Sequence, residues 1–181
     1  MNRHKQDYYT TPAKTVVEFL DKFIELTSFD FTSAHVLDPA AGGCKDNPMP
    51  YPAALFALGC TNVTTLDIRT DSKAALITDY MQHYPNQQYD LVITNPPYLL
   101  ALDFIVTALE DCKEGGYVVM LLRLNFFGSQ QRRSFFQQHM PMYCIVHSNR
   151  PRFFGAGEQT EYAHFVFKKG YHPTYTQTYV I

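Results

Sequence analysis

The sequence predicts an α/β fold, a doubly wound and mostly parallel sheet that ends in a C-terminal antiparallel strand. Three observations carry this expectation. Short apolar or β-branched runs alternate with helix-like segments along the chain, and there is no internal repeat or low-complexity tract. Three of the runs end on a side chain that can hydrogen-bond a ligand (Asp38, Asp67 and Asn95), at the strand ends where open α/β sheets bind ligands. The last two runs, 143–147 and 162–167, read as an antiparallel pair with a loop between them.

The elements follow in order. Thr11-Pro12 reads as the N-cap and first-turn pair of a helix through about residue 26. A strand covers 34–37, and a helix covers about 52–58 before Gly59. The next strand is 63–67. Residues 72–77 fit a short helix, an extended strand, or one passing into the other. The run 89–94 (Tyr-Asp-Leu-Val-Ile-Thr) gives a buried strand over 91–94. A helix spans about 100–112 and stops at Gly115-Gly116. Residues 117–122 form a buried strand, and Ser129 caps a helix through 139. The tail from Gly170 shows no core role.

At 181 residues and 46% hydrophobic, the chain fits one domain over 1–181 with a sizeable core. No run approaches the roughly 18 apolar residues that span a bilayer, so no membrane association is expected. The N-terminus is polar and lacks an apolar signal region. Four widely spaced cysteines without a C-x-x-C pair read as reduced thiols of a cytoplasmic protein, with no zinc. The seven histidines show no ligand spacing, read as structural or surface residues, and give no reason to expect a metal.

Net charge is −2, unevenly spread. Residues 1–114 hold 8 Lys/Arg against 15 Asp/Glu, a net of −7, while residues 115–181 hold 7 against 2, a net of +5. From Gly115 to Gly157 there is no acid, yet Arg123, Arg132, Arg133, Arg150 and Arg152 lie there among pairs of phenylalanines. Fixed positive charge interleaved with aromatics suits a phosphate backbone and an unstacked base. The alternative is a set of solvated helix-face arginines paired with acids of the other half.

Three strand ends hold the chemistry. After the run 89–94 comes Asn95-Pro96-Pro97-Tyr98. The prolines fix φ and remove two donors, so this backbone offers carbonyl oxygens and few N–H groups beside an aromatic face. Such an acceptor pair suits a planar amino group held by its two hydrogens; the alternative is a plain strand-ending turn. Earlier, Asp38-Pro39-Ala40-Ala41-Gly42-Gly43 reads as strand, acid and Gly turn, and Asp67 ends the following strand. A Gly turn after one strand and an acid after the next is the pattern for binding a nucleoside cofactor. There is no G-x-G-x-x-G, and an acid at the first strand's end would repel phosphate, so a pyrophosphate cofactor is disfavoured.

With these residues the chain resembles the S-adenosylmethionine-dependent N6-adenine DNA methyltransferases. Its small size and its segments 123–127 and 150–167 look like the phage- or prophage-type adenine methylases. The resemblance implies a Rossmann-like methyltransferase sheet, S-adenosyl-L-methionine as cofactor and DNA as partner, with RNA left open, in a bacterial or phage-infected cytoplasm. It makes Asp38, Pro39, Ala40, Gly42 and Gly43 the cofactor loop and Asp67, with Ile68 beside it, the ribose acid. Asp79, in Thr78-Asp79-Tyr80, would contact the cofactor adenine, and Tyr8, Thr10 and Thr11 would close over the methionine end. Asn95, Pro96, Pro97 and Tyr98 become the catalytic motif. Arg123, Arg132, Arg133, Arg150, Arg152 and Phe153 are candidate nucleic-acid contacts, and the loop 149–161 is a candidate for grasping a flipped base.

The chain departs from the family in two ways. The loop after Gly43 is long and carries Pro48, Pro50 and Pro52, and no separate target-recognition domain is legible. A protein partner that supplies target recognition is therefore one expectation. Methylation of RNA adenine, methylation of protein glutamine, and a non-catalytic nucleic-acid-binding module stay open as rivals.

Overall fold

The pattern of burial along each strand fixes the layering. In the computed structural model, which describes residues 10–83, 88–153 and 160–181, β1 (His35–Asp38) is buried at every position. Val36 faces one apolar cluster and Leu37 the other. β4 (Tyr89–Thr94) alternates likewise, with Leu91 and Ile93 on one side and Val92 on the other. Strands buried on both faces need cover on both, as in parallel sheets.

That cover comes from α1 (Ala13–Thr27) and α2 (Pro50–Ala57) on one face and α3 (Ala101–Asp111) on the other. In α1 the buried residues Val16, Phe19, Leu20 and Phe23 recur at helical spacing and form the inward stripe. The helix ends at Ser28, which adopts a left-handed conformation (φ 52°) and donates its N–H to the Ile24 carbonyl at 2.8 Å.

The remaining strands are β2 (Asn62–Asp67), β3 (Leu76–Ile77), β5 (Cys112–Arg123), β6 (Tyr143–Val146), β7 (Tyr162–Lys168) and β8 (Gln177–Val180). The sheet order is β3-β2-β1-β4-β5-β7-β6-β8. β1 pairs in parallel with both β2 and β4, so the chain reverses direction across the sheet at β1. That switch point is where such sheets open a crevice. β7 runs antiparallel to β6, as the sequence suggested, and also to β5.

Four expectations need correction. Thr11 does not cap α1: Pro12 occupies that position without a side-chain cap, and Thr11 bonds elsewhere, as described below. Gly115-Gly116 does not end α3, because the chain enters β5 at Cys112. The glycines instead form a bulge, with Tyr89 opposite Cys112 and Leu91 opposite Tyr117. Gly115 takes φ 78°, and a Cβ on Gly116 would lie 3.0 Å from the carbonyl oxygens of Asp90 and Lys113. The helix expected over 129–139 is a 3-10 turn, Gln130–Arg132, followed by a short α4 (Arg133–Gln138), and Ser129 makes no cap bond. The tail is not idle: β8 pairs in parallel with β6.

Candidate active site

The C-terminal ends of β1, β2 and β4 open onto one cleft of about 840 Å³, open solvent included. Of the residues singled out from sequence, Thr10, Thr11, Pro39, Ala40, Gly42, Asp67, Ile68, Asp79, Asn95, Pro96, Pro97 and Tyr98 line it. Asp38 and Gly43 sit behind this lining, and Tyr8 lies outside the described residues.

Asp67 is built into the cleft by backbone donors. Its Oδ2 accepts from the Gly42 N–H and its Oδ1 from the Arg69 N–H, both at 2.8 Å. This pairing shapes the Gly42-Gly43 turn, where both glycines have positive φ (67° and 71°). Gly43 has no room for a side chain, since a Cβ there would meet Met49 Cγ at 2.8 Å. The buried Arg69 donates to the Gly43 carbonyl at 2.8 Å and pairs with Asp71 at 3.0 Å, and the Ser72 hydroxyl donates to the Gly42 carbonyl. Asp79 accepts from the Met81 N–H at 3.0 Å, which fixes the 3-10 turn Tyr80–Gln82 at the cleft wall.

Asp38 is wholly buried. Its Oδ1 accepts from the Ala40 N–H at 3.3 Å, while its Oδ2 is buried with no partner among the described residues. Burial pushes its carboxyl up to about 7; the Thr94 hydroxyl and the Ala40 N–H oppose the rise, and nearby Asp67 adds to it. Such a group is poised to ionise when a cation arrives.

Asn95 is oriented from across the chain. Its Nδ2 donates to the Thr11 hydroxyl at 3.1 Å, which leaves Oδ1 buried and without a partner among the described residues. The turn after it is held by the Leu100 N–H, which donates to the Pro97 carbonyl at 2.9 Å. The ring of Tyr98 packs against Tyr162 (centroids 5.9 Å apart), with the Arg123 guanidinium 5.3 Å from the ring centroid. Burial, with a contribution from Tyr162, raises the Tyr98 phenol well above its usual range. Leu100 and Phe104 add an apolar wall.

No family model and no curated protein matches the chain. Solved structures do match. One is a putative class I S-adenosylmethionine-dependent methyltransferase from Listeria monocytogenes, with 16% identity and a TM-score of 0.62 over 93% of this chain and 64% of that one. A second is a putative RNA methyltransferase from Pyrococcus horikoshii, with 17% identity and a TM-score of 0.68 over 91% and 88%. A third is the M protein of the type I restriction enzyme EcoKI, with 13% identity and a TM-score of 0.58 over 77% and 40%. The fold is a class I methyltransferase fold. The chain spans less than two thirds of the Listeria protein and of the EcoKI subunit.

Around this methyltransferase-like sheet the candidate nucleic-acid residues fall into two groups. Arg133 and Arg152 are exposed, as is Arg150 within a surface ion pair. Arg150 and the others are engaged within the chain. Arg132 Nε donates to the Phe126 carbonyl at 2.7 Å, and its guanidinium lies 4.3 Å from the Phe126 ring centroid. Arg150 pairs with Glu161 at 2.6 Å, and Arg123 Nε lies 3.4 Å from the Tyr162 hydroxyl. Phe153 is buried in a small cluster with Leu121 and Tyr162, so its ring is not presented to solvent. Residues 154–159 of the loop 149–161 lie outside the described residues.

Sequence reasoning missed Tyr51, Arg69 and the Thr11–Asn95 bond. Tyr51 lines the cleft from the first turn of α2, and its hydroxyl bonds His164. Only its place between Pro50 and Pro52, a stiff helix start, hinted at a fixed role.

Proposed function

We propose that the protein is a methyltransferase that moves a methyl group from S-adenosyl-L-methionine to the exocyclic N6 amino group of adenine in DNA. One observation carries this reading. Asn95 Oδ1 is a buried acceptor with no partner among the described residues, and Asn95 lines the same cleft as Gly42 and Asp67. Leaving such an oxygen unpaired costs about 1–3 kcal/mol, which a hydrogen-bond donor on the ligand recovers. The residues present fit the cofactor: the Asp67 and Asp79 carboxylates suit its hydroxyls and adenine, and Asp38, behind the lining with Oδ2 unpaired among the described residues, suits its cationic amino-acid end. When bound, it supplies an activated methyl group.

The chain's own residues do the rest. Asn95 Oδ1 and the Pro96 carbonyl hold the two hydrogens of the target amine. This localises a lone pair that is otherwise delocalised into the ring. The acceptors strengthen their grip as positive charge grows on nitrogen, so they favour the transition state over the ground state. The Tyr98 ring, backed by Arg123 and Tyr162, bounds the base's plane. A base inside a duplex does not reach this cleft, so the nucleotide is flipped or taken from a single strand. The acid-free stretch and the exposed Arg133 and Arg152 support a phosphate-rich substrate.

RNA is the second reading, favoured by the likeness to the Pyrococcus protein. The test is transfer of labelled methyl to duplex DNA, single-stranded DNA, RNA and a protein extract, with the modified nucleosides identified. N6-methyladenine in DNA is the expected product. Label confined to RNA or protein refutes the DNA substrate, and cofactor binding without transfer to any acceptor refutes the enzyme.

A further inference from the structure

A chain of hydrogen bonds leads from the cleft into the core. Tyr51 lines the cleft, and its hydroxyl lies 2.8 Å from His164 Nε2 in the middle of β7. His164 Nδ1 lies 2.8 Å from His147 Nε2, just beyond β6. All three side chains are buried, and the His164 ring is held flat against Phe19 with centroids 3.9 Å apart. Beyond His147, the ring lies within electrostatic reach of Glu18, a partly exposed residue of α1 that also pairs with Lys14 at 3.5 Å. At the cleft end Tyr51 lies within electrostatic reach of Asp38 and Tyr98. Burial lowers both histidines, His147 to about 4 and His164 well below its usual range, so both rings are neutral near pH 7, each with one donor and one acceptor nitrogen.

The proposed reaction leaves a proton to remove. The lone pair of the target nitrogen forms the new N–C bond, the C–S bond of the donor breaks with its electron pair on sulfur, and the nitrogen must shed one hydrogen as a proton. Asn95 is an amide and Pro96 offers a carbonyl; either accepts a hydrogen bond, but neither is basic enough to keep a proton.

We infer that Tyr51, His164 and His147 relay this proton from the cleft to solvent beside Glu18. The inference rests on the methyltransferase reading. The proton passes to the Tyr51 oxygen as the tyrosine hydrogen moves to His164 Nε2. The His164 Nδ1 hydrogen then moves to His147 Nε2, and the His147 Nδ1 hydrogen leaves to water. Each ring gains a proton on one side as it loses one on the other, so no imidazolium builds up in the core. The reverse series resets both tautomers once the cleft reopens to water.

Two variants test this: Tyr51→Phe, which removes the hydroxyl and keeps the ring, and His147→Gln at the far end, remote from the cleft. The first readout is histidine ¹⁵N NMR of the protein without ligand. Tyr51→Phe is expected to change the tautomer balance of both His164 and His147, and an unchanged His147 overturns the relay. The second is single-turnover methyl transfer to an adenine-containing oligonucleotide in H₂O and D₂O. Each variant is expected to slow transfer on the order of 10²-fold and to alter the solvent isotope effect, with cofactor affinity by calorimetry unchanged. Wild-type rate and isotope effect in His147→Gln overturn the relay alone. Failure of the wild-type protein to methylate any acceptor removes the methyltransferase reading, and the relay with it.

Discussion

Asp38→Asn isolates the one wholly buried carboxyl at the cleft among the described residues. The substitution keeps the shape of the side chain and removes its titration. Burial pushes the folded carboxyl up to about 7, against about 3.9 for a free aspartate. Because the folded value lies above the unfolded one, the folded protein binds this proton more tightly. The stability it confers is complete below about pH 4 and is lost as pH rises through 7. Between pH 5 and pH 8.5 the linkage amounts to about 2–3 kcal/mol. The assay is urea unfolding of wild type and variant at both pH values. His147 and His164, which are shifted downward, act in the opposite direction but are common to both proteins and cancel in the comparison. The variant is therefore expected to gain about 2–3 kcal/mol on wild type between the lower and the higher pH. An equal difference at both values would show that Asp38 titrates normally, and the argument from its burial would fail.

Other substitutions separate roles that look alike in sequence. Asn95→Ala should lower methyl transfer by about 10²–10³-fold, as expected for loss of a transition-state hydrogen-bond partner, and leave cofactor affinity by calorimetry largely intact. Arg132→Ala should cost about 1–3 kcal/mol of stability in urea titrations, since it removes a charged donor from the Phe126 carbonyl and a cation from its ring. Arg133→Ala should leave stability unchanged and weaken binding to labelled DNA, with a shallower salt dependence. Gly116→Ala should destabilise by about 1–3 kcal/mol, because its Cβ would press on two backbone carbonyls in the β5 bulge; an unchanged melting temperature would contradict that packing.

Most of the succession of strands along the chain, and the cleft-lining strand ends at Asp67 and Asn95, were legible because they depend on local patterns, namely continuous apolar runs and the residues that end them. Local patterns also explain the misreadings. Gly115-Gly116 after a helical stretch looks like a helix stop, but the same positive φ serves a strand bulge, and only pairing with β4 distinguishes the two. The β8 residues are mostly exposed, so they show no buried face to read. At the site, Thr11 has the chemistry of a helix cap, yet its hydroxyl serves a residue 84 positions away. The partners Tyr51 and His164 are 113 positions apart, and no spacing rule joins them. Aromatic content also misleads: Phe153 reads as a stacking platform but is part of a buried cluster.

The Thr11–Asn95 hydrogen bond has an evolutionary consequence. A hydroxyl accepts or donates with a small rotation of its hydrogen, so Thr11 would serve an aspartate at position 95 as readily as it serves the amide. Asn and Asp codons differ by one nucleotide. The scaffold therefore lets a lineage trade an uncharged acceptor for a local base in a single step, without rebuilding the fold. A descendant with the acid could dispense with any longer route for the proton, and its histidine positions would then be free to drift.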